Sequence, residues 1–220
     1  MYAVIAHLDR VKIYTIHQDD VTPSQFSHHE IKGCTEIQFS HGGHLYAIND
    51  EDNNIQVFKF WQNERPAEWI FSGHQSPVRS ICWLDDDTGF ASVGQADHSV
   101  ILWKLAPNEQ GNRKQWVYRN PGTQFYDCQV REEEPDKGSN VPKIVVIAAC
   151  RDEGGCIREI HDGRSRQKFE TGSRYAQLKL MHGHKAFFAG IQSEGQAGSI
   201  QVIPYPFDRV EEEDHKLEDL

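Results

Sequence analysis

The chain has 220 residues, with 33 acidic against 23 basic side chains and a formal net charge of −10. An acidic chain without a basic stripe argues against nucleic-acid binding through the phosphate backbone. No run of about twenty apolar residues is present to cross a membrane as a helix, and Met1–His7 has no basic lead and too short an apolar stretch to read as a signal peptide.

In chain order, Tyr2–Ala6 and Val11–Ile16 predict the second and third strands of a repeat. Full repeats follow. First strands are predicted at Thr35–Phe39, Val78–Trp83, Phe125–Val130 and Ala176–Leu180. Second strands are predicted at Leu45–Ile48, Phe90–Val93, Ile144–Ala149 and Phe187–Ile191. Outer strands fall near Trp69–Ser72, Trp116–Tyr118 and Gln167–Glu170. Most show apolar/polar alternation, or are short β-rich runs bounded by Gly, Asp and Asn turns.

The third strands set the period. They end at Tyr14, Phe58, Trp103, Glu159 and Ile203, giving intervals of 44, 45, 56 and 44 positions. The long interval contains Arg131–Asn140, a polar, charged and turn-rich stretch that reads as an inserted loop. Without about ten such residues the period returns, as expected of a repeat array. An all-β sandwich with evenly spaced strands is the competing architecture.

One repeat carries a fuller signature. Gly73-His74 precedes Asp97, and Asp97 stands six places before Trp103, which closes the alternating strand Ser99–Trp103. His74 can hydrogen-bond Asp97 in a tight turn, and Ser92 and the Trp103 indole can extend the network across a small sheet. Asp52 and Phe58 stand at the equivalent positions one repeat earlier, Glu153 and Glu159 one repeat later, and Ile203 closes the last repeat. These residues resemble the WD-repeat β-propeller family, whose Gly-His and Trp-Asp signatures recur every 40–45 residues or so. The match departs from the pattern at Lys104, where the Asp of Trp-Asp usually stands, and Ser92 is one residue further from Asp97 than is common.

The resemblance implies an all-β fold, a partial WD-repeat propeller of about four and a half blades of four antiparallel strands over residues 1–207. Blade ends fall near 16, 60, 105, 160 and 207, and 208–220 form an acidic tail or linker. Residues Asp208–Leu220 hold seven acidic and two basic side chains, about half of the net charge. Too few blades for the common ring suggests a fragment, with the remaining blades supplied by missing sequence or by another chain.

Chemistry-bearing groups read as structural. His28-His29, His41 with His44, and His182 with His184 lack a Cys or carboxylate partner at zinc-motif spacing. Asp85–Asp87 and Glu132–Glu134 read as solvated loops, with capture of a basic partner as their functional alternative. No nucleophile elbow, phosphate-binding Gly loop or catalytic-triad spacing is evident, so no catalytic residue, metal site or cofactor is expected. The cysteines, Cys34, Cys82, Cys128, Cys150 and Cys156, read as reduced and buried, with paired disulfides as the alternative.

The order of repeats, from Ser40-His41-Gly42-Gly43-His44 through Ser72–Trp83 to Gly198–Phe207, resembles the second propeller of the axonemal WD-repeat proteins. That resemblance implies a non-enzymatic scaffold of motile cilia or flagella that helps dock or regulate inner dynein arms on doublet microtubules. The partners it implies are axonemal proteins, subunits of inner dynein arms or their regulatory complex, and tubulin, with neither nucleic acid nor membrane. The coiled coil that follows the propellers in that group has no heptad counterpart here. An adaptor of another cytosolic or nuclear complex is the rival reading. Its ligase-adaptor form needs Trp-Asp-x-Arg, where this chain has Trp103-Lys104-Leu105-Ala106. A propeller enzyme is the rival of a different class.

Overall fold

The computed structural model describes residues 2–7, 9–16, 22–62, 65–135, 138, 142–150, 155–170, 175–180, 186–191 and 199–204. The described residues form successive antiparallel meanders. The first sheet comprises β1 (Tyr2–Ala6), β2 (Val11–Thr15) and β3 (Ser24–His29). The second comprises β4 (Ile37–Phe39), β5 (Leu45–Asn49), β6 (Ile55–Lys59) and β7 (Trp69–Phe71), with a 3-10 turn at Phe60–Gln62. The third comprises β8 (Val78–Trp83), β9 (Gly89–Gly94), β10 (Ser99–Lys104) and β11 (Lys114–Arg119). The fourth comprises β12 (Phe125–Glu133), β13 (Lys143–Cys150), β14 (Cys156–His161) and β15 (Arg164–Glu170). The fifth comprises β16 (Tyr175–Leu180), β17 (Ala186–Ile191) and β18 (Ser199–Pro204).

Burial varies with strand position in a way the residues explain. The second strands β5 and β9 are buried at every position, and β13 at all but its first. A strand covered on both faces carries small or apolar side chains at consecutive positions, as Leu45–Ile48, Phe90–Val93 and Ile144–Ala149 do. Outer strands β3 and β11 keep polar groups at exposed or half-buried positions. The core is therefore a series of seams. One apolar cluster joins the first and second sheets through Val11, Ile13, Tyr46 and Ile48. Another joins the second and third through Leu45, Val57, Trp83 and Trp103, and a third joins the third and fourth through Leu102, Cys128 and Val146.

Three sequence expectations change. The paired strands β12 and β13 run on through Arg131↔Val145 and Glu133↔Lys143, so Arg131–Glu133 extend a hairpin. Glu133 bridges Arg131 and Arg166 there, which lets a charged run continue as strand at a sheet edge. Cys150 and Cys156 are register partners across β13 and β14 with Cα atoms 5.2 Å apart, and they form a disulfide. The reduced reading fails for this pair because the hairpin brings two consecutive strand ends into bonding reach. Cys34, Cys82 and Cys128 are free. Ser24–His29, read only as a histidine pair, forms the outer strand of the first sheet.

Candidate functional site

Within each four-stranded meander, the first-to-second and third-to-fourth turns share one end of the sheet, and the second-to-third turn lies at the other. His74 and Asp97 belong to this second end. The His74 and Asp97 side chains are each 1% exposed and lie 2.8 Å apart, Nδ1 to Oδ2. His74 Nε2 is 2.8 Å from Ser92 Oγ, and Trp103 Nε1 donates to the same oxygen at 2.8 Å. An indole N–H can only donate, so Ser92 accepts it and sends its own proton to His74 Nε2. The neutral imidazole then donates from Nδ1 to the Asp97 carboxylate. The Gln75 N–H, at 3.0 Å, and the Ser99 hydroxyl, at 2.8 Å, also donate to Asp97. Burial alone would raise the Asp97 carboxyl, but the His74 hydrogen bond, with help from Gln75 and Ser99, outweighs it and holds the group at about 2.

Ser92, His74 and Asp97 thus have the connectivity of a hydrolytic triad, which their chain order conceals. Ser92 is fully buried, and its oxygen already accepts the indole proton. Substrate has no approach to it, and the relay ties the turn that leads into β8 to the central strands of this sheet. Gly94 makes the close packing possible: a Cβ there would stand 2.1 Å from Asp97 Oδ1.

The other marked positions diverge. In the second sheet, Asp50 organises the turn and Asp52 is exposed. Asp50 Oδ1 accepts the N–H groups of Asp52 and Asn54, and Oδ2 accepts from Gln56. A carboxylate two residues earlier closes the turn as an Asx motif. Phe58 stacks on Tyr46, and Glu159 is buried in β14. Ile203 pairs with Phe187 in the last sheet. Glu153, His182, His184 and 208–220 lie outside the described residues.

Sequence reasoning missed the buried polar bonds at strand ends and between sheets. Asn49 is fully buried and its Oδ1 accepts the Thr35 and Glu36 N–H groups at 2.9 and 2.7 Å, while the Thr35 hydroxyl donates to the Val78 carbonyl at 3.0 Å. Ser80 donates to Asp127 at 2.5 Å, and His98 Nδ1 to the Thr123 carbonyl at 2.7 Å. At the opposite end, Asp87 takes a left-handed φ of 57°, which Asp tolerates, and accepts the His41 and Gly42 N–H groups, both at 2.8 Å. The only sequence signal for Asp87 was its place in an acidic turn.

The inner strands β4, β8 and β12 line an open cleft of about 630 Å³, with Glu36, Gln38, Arg79, Tyr126, Asp127 and Gln129 on its wall. Among the described residues, no group of three or more His, Cys, Asp or Glu side chains could hold a metal.

Similarity to known proteins agrees with this architecture. No family model matches the chain. It is 29% identical, over 94% of its length, to cilia- and flagella-associated protein 57 A of Tetrahymena thermophila. It is 26% identical, over 93% of its length, to cilia- and flagella-associated protein 57 of Mus musculus. WD repeat-containing protein 1 of Bos taurus is 31% identical over 41% of the chain. The chain is homologous to cilia- and flagella-associated protein 57 along most of its length, and its similarity to WD repeat-containing proteins supports a WD-repeat architecture. Its meanders are the blades of a partial WD-repeat propeller, and the His74–Asp97 relay lies in its third blade. The chain spans 17% of the Tetrahymena relative, 14% of the mouse relative and 15% of the bovine one.

Proposed function

We propose that this WD-repeat chain is a non-enzymatic protein-interaction scaffold of the axoneme of motile cilia or flagella, helping to dock or regulate inner dynein arms on doublet microtubules. The observation that carries the reading is similarity to cilia- and flagella-associated protein 57 of two organisms over nine-tenths of the chain. The geometry supports it. The Ser92–His74–Asp97 constellation is sealed inside a sheet, while turns at both ends of the blades carry exposed residues such as Glu51 and Asp85. The partners that follow from the reading are inner dynein arm subunits, their regulatory complex and tubulin.

Tagging the protein at its natural locus and fractionating cells tests this. Retention in demembranated axonemes, with loss of inner-arm components after its deletion, is expected. Enrichment in cytosolic or nuclear complexes would replace the axonemal reading with that of a WD-repeat adaptor elsewhere.

A further inference from the structure

The end of the propeller that bears Asp87 carries an aromatic strip with no role in the relay. Phe60 is buried and forms its floor. Tyr2 packs on it edge-on with ring centroids 4.7 Å apart, and Trp61 packs likewise at 5.0 Å. Phe26 meets Tyr2 at 5.6 Å. These rings join the first blade to the second, yet Trp61 is 71% exposed and Phe26 47%. Single exposed apolar side chains are ordinary, but adjoining exposed rings form a patch.

The strip continues inward to charge. The Phe60 N–H donates to the His44 carbonyl at 2.8 Å. His44 Nδ1 lies 3.6 Å from Asp87 Oδ2, and His41 Nε2 lies 4.0 Å from Asp85 Oδ1. Asp85 and Asp86 are exposed. The cations nearby are engaged: Lys59 by Glu68, Arg65 by Gln62, and half-buried Lys104 by the Thr88 hydroxyl. An aromatic anchor site beside exposed carboxylates has a direction, apolar at one end and acidic at the other.

We propose that this strip docks a segment of another protein that carries an aromatic or aliphatic anchor beside lysine or arginine. The proposal rests on the scaffold reading and names one of its contact faces. A second copy fits poorly. Self-association through this face would bring acidic turns together in a chain whose net charge is already −10.

The test is selection of a phage-displayed random dodecapeptide library on the purified chain, followed by titration of the recovered peptides, synthesised with a fluorescein label. Trp61→Ala, the double variant Asp85→Lys/Asp86→Lys, and Glu51→Lys at the opposite end are compared. Trp61 is exposed, so an unchanged unfolding midpoint should accompany its change in binding; the midpoint of the double variant is recorded beside its affinity, because Asp86 also accepts the Thr88 N–H and hydroxyl. The expected peptides have an apolar anchor and net positive charge. Their affinity should fall at least ~10-fold on Trp61→Ala, as for an interface anchor, several-fold on the double variant, and little on Glu51→Lys. Absence of enrichment, peptides without net positive charge, or equal binding to Trp61→Ala overturns the proposal. So does a dimer in sedimentation that dissociates on Trp61→Ala, in favour of self-assembly. None of these results touches the scaffold reading, which stands or falls on axonemal retention.

Discussion

At the scale of single residues, the Trp103–Ser92–His74–Asp97 relay is a directional chain whose every proton has one acceptor. Removing Asp97 leaves the buried His74 N–H and Ser99 hydroxyl, and the Gln75 N–H at the turn, without their acceptor. Asp97→Ala and His74→Ala should each destabilise the fold by about 1–3 kcal/mol, read as a lower urea midpoint. Loss of partner binding at unchanged stability would show instead that the relay serves recognition. His29 adds a pH dependence. Burial, then the neighbouring His28, pushes its imidazole from 6.5 down to about 4. Tyr46, whose phenol burial pushes up, donates to His29 Nε2 at 2.5 Å. The unfolded chain therefore binds a proton that the folded chain refuses between those values. Stability should be full above about pH 6.5, decline as pH falls toward 4, and then level off with respect to this group. His29→Gln should flatten that window in a series of urea midpoints, while leaving the lower one in which Asp97 protonates as pH falls toward about 2.

At the scale of elements, the strands repeat because each blade solves the same burial problem. The second strand is covered on both faces and the outer strand on one, so the composition of each position recurs with the period. That recurrence made the strands legible: Val78–Trp83 matches β8 residue for residue, and the intervals between third strands counted the blades. The outer strand Ser24–His29 was obscure because every position is exposed or half-buried and Phe26 is its single apolar residue, so no apolar alternation marks it. Asp50 and Asp87 were obscure for another reason. Their roles depend on which backbone N–H groups surround them, and neighbouring acids in the same turns, Asp52 and Asp86, look identical in sequence. The disulfide needed the register of a hairpin, because spacing alone does not say that Cys150 and Cys156 face one another. Its loop is short, with a sequence separation of 6, so closing it should stabilise the fold by only about 2 kcal/mol. Dithiothreitol should lower the unfolding free energy of the native chain, read from urea titrations, by that amount and leave that of Cys150→Ser/Cys156→Ser unmoved. A native chain indifferent to reductant would mean that the two thiols stay reduced.

At the scale of the molecule, stability passes from blade to blade through the seams. Trp83 is the clearest carrier. It is 2% exposed, belongs to the third blade, and packs in the cluster that contains Leu45, Ile55, Val57 and Phe71 of the second. Its indole N–H donates to the Gln38 carbonyl of that second blade at 3.1 Å. A repeat array behaves as a row of units coupled to their nearest neighbours, so damage at one seam should spread one blade in each direction and fade beyond. Trp83→Ala removes a large buried side chain and should cost about 3–5 kcal/mol. Hydrogen exchange should then show amides of both β5 and β9 losing protection, while those of β13 and β14 lose less. If only β8–β11 were affected, each blade would be its own folding unit and the seams would contribute shape without coupling. If all the blades lost protection equally, the array would unfold as one body, and the nearest-neighbour picture of its stability would fail.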